Sequence, residues 1–229
     1  AARVGADSLS IHEAGTFTVL QDIDGRAIGA LNVDEEPVPA FVKRVGDGAV
    51  RKLNERPVRW LQKSVDCNPA VTSRIEGPLL FFHPSGEVAT GINIKFDLRG
   101  GWFTHYYPNA EVEVEEGFPS ELSKNSIGRL SWASVKLDAG APTVATDELG
   151  WTAARTVDSA SVMVGDEREK FLFASGIGMI DAPLKIEERS GGAILAVKAL
   201  TGASLVGERI WLVGVQRDGA LAFTSVVGD

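Results

Sequence analysis

From Val88 to Leu98 the chain alternates. Val88, Thr90, Ile92, Ile94, Phe96 and Leu98 share one face, and Ala89, Gly91, Asn93, Lys95 and Asp97 share the other. A two-residue period predicts a strand with one buried face. Each large apolar side chain of that set contributes about 1.5–3 kcal/mol when fully buried. The strand sits inside a longer stretch, Leu79 to Ala110, that organises the rest of the reading. Leu79 to Phe82 is apolar at every position, as expected of a strand covered on both faces. Pro78 has no N–H to give a ladder, so this strand is predicted to begin at or just after it. His83-Pro84-Ser85-Gly86 is a turn. Arg99-Gly100-Gly101 sends the chain back into an aromatic strand, Trp102 to Tyr107, which Pro108-Asn109 stops.

The remaining chain repeats this rhythm. Ala1 to Ser10 is a loose lead-in, and Thr16 to Val33 reads as a hairpin turning at Asp24-Gly25. Glu35 to Pro39 is a breaker. Ala40 to Val45 suits a strand or a short helix, and Gly46-Asp47-Gly48 forces a turn. Val58 to Val65 carries Trp60 and Leu61, before a break at Cys67-Asn68-Pro69. Glu111 to Glu115 alternates, with Val112 and Val114 inward. Gly117 to Gly128 is a loop or helical turn. Ile127 to Leu137 is a strand burying Leu130, Trp132, Val135 and Leu137; its phase slips after Trp132, which predicts a bulge near Ala133. Trp151 to Val157, Ser159 to Val164, Lys170 to Ala174, Leu184 to Glu188, Ala193 to Leu200, Arg209 to Arg217 and Ala220 to Val227 complete the predicted strands, with Ser175 to Gly178 as a break and Asp218-Gly219 as a hairpin turn. About a dozen short strands with turns every 8–12 residues, and no helical period, predict an all-β fold with few or no helices. The expected form is a mostly antiparallel β-sandwich, immunoglobulin-like or jelly-roll-like. Residues 1–75 are expected to form N-terminal strands or a subdomain packed on or preceding the main domain, 76–229.

Charge and composition narrow the function classes. Over 229 residues the net charge is −8, which disfavours nucleic acid and anionic membrane as partners. The single cysteine, Cys67, allows no internal disulfide and no cysteine metal cage. No apolar run reaches the roughly 20 residues of a membrane helix, so no membrane-spanning segment is expected. The start, AARVGADS, lacks Met and a signal-peptide pattern, and is read as a mature or truncated chain from which any targeting segment has been removed.

Catalytic motifs are missing: no Gly-x-Ser-x-Gly, no phosphate loop, no His-Glu-x-x-His. Asp22-Ile23-Asp24-Gly25 opens like a calcium loop, but Arg26 and Ala27 stand where a ligand and a glycine belong. A turn is the preferred reading. Gly176-x-Gly178 lacks the third glycine of a dinucleotide loop. If the strands around 80, 93 and 105 are neighbours in a meander, the first and third run parallel. His83 and His105 then lie near one end of the sheet, with Tyr106, Tyr107 and Asn109 close by. Two imidazoles there would line a pocket or hold a metal, although no third ligand can be named. The preferred reading is two rim histidines, with no metal and no cofactor. Arg155 is read as a structural ion pair near Asp158 in preference to an anion site, and Glu169-Lys170 as a strand-start charge pair. Glu111, Glu113 and Glu115 form a solvated face that guards an edge. Trp102, Trp132, Trp151 and Trp211 are read as core or rim residues in preference to a sugar-stacking platform. The binding candidates are therefore His83, His105, Tyr106, Tyr107, Asn109 and Arg155.

The succession GPLLFFHPSG, GGWFTHYYPNA, GRLSWASVKL, TAARTVDSA, EKFLFASGIG resembles a group of uncharacterised bacterial proteins, predicted to be extracytoplasmic and often longer than this chain. Their pattern has an apolar Tyr-Phe-Tyr/His-Pro strand, then Thr-Glu-Trp-Tyr-Pro-x-Ala, Ala-Arg-x-Thr-Asp-Ala and Glu-Lys-Phe-Leu-Phe-Tyr-Arg-Gly-Val-Gly. Tyr107, Pro108, Ala110, Arg155, Glu169, Lys170, Phe171, Leu172, Phe173, Gly176 and Gly178 match it. His105 stands where the group has Glu, Tyr106 where it has Trp, and Ala174-Ser175 where it has Tyr-Arg. A site built on that Glu or Arg would be altered here, and His105 argues against a shared histidine mechanism. The resemblance implies one shared β-domain and an envelope location, secreted or periplasmic, and brings no activity with it. The expected function is a non-catalytic binding or scaffolding β-domain of an exported bacterial protein. Its partner would be an unknown small molecule, a glycan or an envelope protein. The alternative is a hydrolase or metal-dependent enzyme with a site near His83, His105, Tyr107 and Arg155.

Overall fold

A computed structural model describes residues 8–22, 24–29, 31, 38–45, 69–86, 91–113, 122–189, 194–200, 209–215 and 218–227. Among them are fourteen strands and one short helix, so the chain is all-β as the alternation predicts. The larger sheet is built from β1 (Leu9–Val19), β2 (Lys43–Arg44), β3 (Ser73–Pro84), β4 (Ile92–Arg99), β5 (Gly101–Tyr107), β6 (Glu111–Glu113), β7 (Ile127–Asp138), β8 (Ser161–Val164), β9 (Glu167–Glu169) and β10 (Leu172–Gly178), with helix α1 (Leu149–Ala154) between β7 and β8. Its order is β1-β3-β10-β5-β7-β8-β9, with β2 added to β5 and β4 and β6 to β7. All pairings are antiparallel except β5 with β7, which meet in parallel at Gly101 and Ile127. A bridge from Phe82 to Ala160 curls the path β3-β10-β5-β7-β8 back towards its first strand.

By contact density the chain divides into two compact units, Ala1–Leu20 with Ala27–Asp181, and Gln21–Arg26 with Ala182–Asp229. The boundary expected at residue 75 falls inside β3. The second unit holds two hairpins, β11 (Leu184–Arg189) with β12 (Ile194–Ala199) and β13 (Arg209–Val215) with β14 (Leu221–Val227). Asp218-Gly219 makes the turn of the latter, with Gly219 at φ +85°. The predicted strand Val58 to Val65, the turn at Gly46 to Gly48, Cys67, Val88, Thr90, Val114 and Glu115 lie outside the described residues.

The meander does not form. β4 pairs with β7, and β10 inserts between β3 and β5, pairing with both. The burial patterns explain this. Every residue of β10 is buried, as suits a strand covered on both faces. In β4, by contrast, half-buried Ile92, Ile94, Phe96 and Leu98 alternate with exposed polar residues. Side chains of β3 and β10 point to opposite faces in turn, and β5 changes phase at Thr104, where its register to β10 slips. Leu80, Phe82, Leu172, Ala174 and Phe103 join Leu130, Trp132, Val135 and Leu137 in one core. Phe81, Phe173 and Tyr107 form a second with Val42, Phe171 and Trp151. A third, with Trp102 and Ile177, lies further along the same strands.

Local irregularities follow the sequence in one place and correct it in three. In β7 the buried set changes phase between Trp132 and Val135, and Ile92 and Ile94 face Val135 and Trp132. Ala133 and Ser134 together oppose the single residue Asn93, one residue extra, where the bulge is predicted. By contrast, β3 does not start after Pro78; it starts at Ser73 and bulges at Gly77-Pro78, where the ladders to β1 and β10 both skip. A skipped position tolerates a proline, since no N–H is asked of it. Ser175 to Gly178 is strand interior, not a break. A Cβ on Gly176 would lie 2.7 Å from the Trp102 carbonyl oxygen, so glycine admits a close approach of β5. Finally, residues 149–154 are helical, placing Trp151, Ala154 and then Val157 against one cluster at the i, i+3 spacing of a helix face. Among the described residues no helix is long and apolar enough to cross a membrane.

Candidate functional site

Charged and aromatic groups meet where α1, the β8–β9 hairpin and the ends of β5 and β10 come together. At the centre is Glu169, the last residue of β9, with no exposed surface. Four donors satisfy its carboxylate. Arg155 gives Nε to Oε1 at 3.0 Å and Nη2 to Oε2 at 2.6 Å, Trp151 gives Nε1 to Oε2 at 2.9 Å, and the Lys170 backbone N–H reaches Oε1 at 2.8 Å. Arg155 also donates Nη2 to the Val144 carbonyl at 2.8 Å, and its guanidinium carbon stands 5.9 Å from the Phe41 ring centre. A buried carboxylate is tolerable only when paired and fully hydrogen-bonded, and this one is both. Arg155 pairs with Glu169 and not with Asp158, and Glu169, expected in a strand-start charge pair with Lys170, instead ends β9. Lys170 turns its ammonium to the Ser159 carbonyl oxygen.

Tyr107, at the end of β5, is 1% exposed, with its ring 4.7 Å from that of Phe41 and 6.2 Å from that of Trp151. Its hydroxyl has no hydrogen-bond partner among the described residues. Burial, and then the negative charges of Glu167 and Glu169, push its pKa up to about 12, against the pull of Arg155. A phenol so placed stays protonated at neutral pH and is a poor base or nucleophile. Asn109 is fixed through its backbone N–H, which donates to Glu167 Oε2 at 2.5 Å. Glu167 Oε1 pairs with Lys43 at 2.6 Å. Tyr106 points to the other face and packs on the core around Leu130 and Trp132.

The histidines lie elsewhere and apart. His105 is 5% exposed and sits across from Ser175 on β10. Ser175 Oγ is 3.4 Å from its Nδ1 and 2.9 Å from Thr104 Oγ1. Continuing the same row, Ser175 faces Glu76 on β3. His83 is seven positions beyond Glu76, opposite Ser10 on β1. At about 3.3 Å per residue that is roughly 20 Å along the sheet, with β10 lying between the two strands. One ion cannot touch both imidazoles. His83 instead stacks on His12, with ring centres 6.3 Å apart. Among the described residues no three of His, Cys, Asp or Glu gather to hold a metal. At Asp24-Gly25 the chain turns, with Gly25 at φ +73°. Asp22 Oδ1 accepts from the Asp24 and Arg26 backbone N–H groups at 2.9 and 2.8 Å, spending on the turn an oxygen that a calcium loop would use.

Of the six candidates, therefore, Tyr107, Asn109 and Arg155 meet around Glu167 and Glu169, while Tyr106, His105 and His83 do not join them. Glu169, Trp151, Glu167 and Lys43 are the members that sequence reading missed. The one sequence signal for Glu169 was its place two residues before the apolar run Phe171 to Phe173. Three of the tryptophans read as core or rim, Trp102, Trp132 and Trp151, are buried, whereas Trp211 is 61% exposed. No family model, no curated protein and no solved structure matches this chain.

Proposed function

We propose that this chain is a non-catalytic binding or scaffolding β-domain of an exported bacterial protein, one of the uncharacterised group whose sequence pattern it resembles. The observation that carries the reading is the closed pairing of Arg155 with Glu169. The charged groups best placed to do chemistry are hydrogen-bonded to each other in the core, and the adjoining Tyr107 hydroxyl is held as a neutral phenol. The histidines of the rival hydrolase or metal-dependent site are distributed along the sheet instead of converging.

Membership of the group gains support from two departures. His105 and Ser175 stand where the pattern has Glu and Arg, and they are cross-strand partners whose side chains meet. A Glu–Arg pair at this place and the His–Ser contact are two ways to fill one position of one sheet. The ligand class remains a small molecule, a glycan or an envelope protein; the charge of −8 weighs against nucleic acid.

Two experiments test the proposal. The chain is offered a panel of ester, phosphate-ester, glycoside and peptide substrates beside Tyr107→Phe and His105→Gln. Equal, background-level turnover in all three is expected, and turnover that a folded variant abolishes overturns the non-catalytic reading. The full-length gene, tagged and expressed in a bacterial host, is then fractionated. Recovery outside the cytoplasmic membrane is expected, and cytosolic recovery overturns the exported part.

A further inference from the structure

We infer that the β13–β14 hairpin is a self-association surface and that its partner is a second copy of this chain. In its ladder Trp211 faces Ser225, Val213 faces Phe223, Val215 faces Leu221, and Arg209 faces Val227. Side chains opposite one another lie on the same side of a sheet, so these residues share one face. Trp211 is 61% exposed, Val213 62%, Val215 75%, Leu221 66%, Phe223 74% and Val227 54%. On the other face Leu212 is buried.

The six apolar side chains offer on the order of 800 Å² of surface, more than the roughly 300–600 Å² of the largest patch on a typical monomer. It also equals one partner's share, about 800 Å², of a standard stable interface. A two-fold pair uses the same patch twice, so this single face supplies both halves. A lone two-stranded hairpin is at best marginal in water and needs an apolar layer against it. A second hairpin stacked about 10 Å away is such a layer.

Charge favours the same occupant. Among the described residues the one ionisable group on the face is Arg209, at its open end, where it donates to Ser225 Oγ at 3.4 Å. A two-fold axis through the Val213–Phe223 pair puts the two arginines at opposite ends, so no like charges meet in the centre. An anionic lipid surface, by contrast, repels a chain of net charge −8. The inference rests on β13–β14 alone and is independent of what surrounds Arg155 and Glu169.

Sedimentation equilibrium of the full chain from about 1 to 100 µM is the test. Twice the chain mass is expected at the upper end, and Phe223→Glu weakens association about 30-fold or more, as for loss of a central aromatic anchor. Thr224→Glu, on the other face of the same strand, leaves association unchanged; circular dichroism checks that both variants fold. Should Phe223→Glu misfold, protection of Trp211 from acrylamide quenching in concentrated wild-type chain is the second readout. Monomer mass at every concentration overturns the inference, as does a dimer that a folded Phe223→Glu leaves intact. Co-sedimentation of monomers with phosphatidylcholine vesicles also overturns it and assigns the face to lipid.

Discussion

Arg155 closes on Glu169 with two parallel hydrogen bonds, 3.0 and 2.6 Å long, and the carboxylate it holds has no exposed surface. The arginine follows α1 and the glutamate ends β9, so the pair ties a six-residue helix to the sheet. A helix this short cannot hold itself together in water. What fixes it is the packing of Trp151 on Phe171 and Phe173 together with this ion pair.

Trp151 contributes to that anchor through its indole N–H as well as its ring. Trp151→Phe keeps most of the aromatic contact but removes the 2.9 Å donor to Glu169 Oε2. Oε2 keeps its bond from Arg155 Nη2, so the expected loss is that of one hydrogen bond to a charged group, about 1.5–3 kcal/mol. Urea denaturation should register it as a lower midpoint with an unchanged slope.

Tyr107 gives the fold a high-pH limit. Its pKa is raised from 10.0 to about 12 in the folded chain, so the unfolded chain surrenders the phenolic proton first. The stability carried by the neutral phenol is fully present below pH 10 and is lost as pH rises through the window from 10 to 12. The phenolate absorbance of one tyrosine should appear only near the top of that window. Tyr107→Phe removes both that late titration and its share of the alkaline destabilisation. It leaves neutral-pH stability unchanged or up to about 1 kcal/mol higher, because the hydroxyl it deletes is unpartnered among the described residues.

Gly77 marks the place where β1 and β3 press together at the bulge. Its φ is +107°, and a Cβ there would lie 2.8 Å from Gly15 Cα and 2.9 Å from the Ala14 carbonyl oxygen. Gly77→Ala is expected to cost about 1–3 kcal/mol in backbone strain and to lower the thermal midpoint. Gly214→Ala, whose Cβ would meet nothing nearer than the Ala222 carbonyl oxygen at 3.8 Å, is the control and should fold as the parent does.

Strands were legible where one face is wet, because alternation survives there. β4 and β7 with its bulge are readable in that way, whereas β13 and β14 are readable from the apolar runs on either side of Asp218-Gly219. Neighbourhood was not legible. Nothing in Leu79 to Phe82 says that β10 comes between it and Trp102 to Tyr107; two strands buried on both faces carry no mark of which lies beside which. α1 was missed because six residues show less than two turns of periodicity. Within the site, Tyr107, Asn109 and Arg155 were legible as polar groups at element ends. Glu169 was not, because a charge beside Lys170 reads as solvated until α1 is known to bring Arg155 and Trp151 over it. His83 and His105 were joined by a meander that β10 interrupts.

The mutual dependence of Arg155 and Glu169 is tested most directly by a double-mutant cycle in stability, with Arg155→Met, Glu169→Leu and the double variant unfolded in urea. Arg155→Met strands a buried carboxylate and is expected to cost about 3–5 kcal/mol. The double variant should recover much of that loss, giving a coupling of about 2 kcal/mol or more. Additive effects within about 0.5 kcal/mol, with Arg155→Met as stable as the parent, would contradict the pairing and leave the guanidinium free for other chemistry.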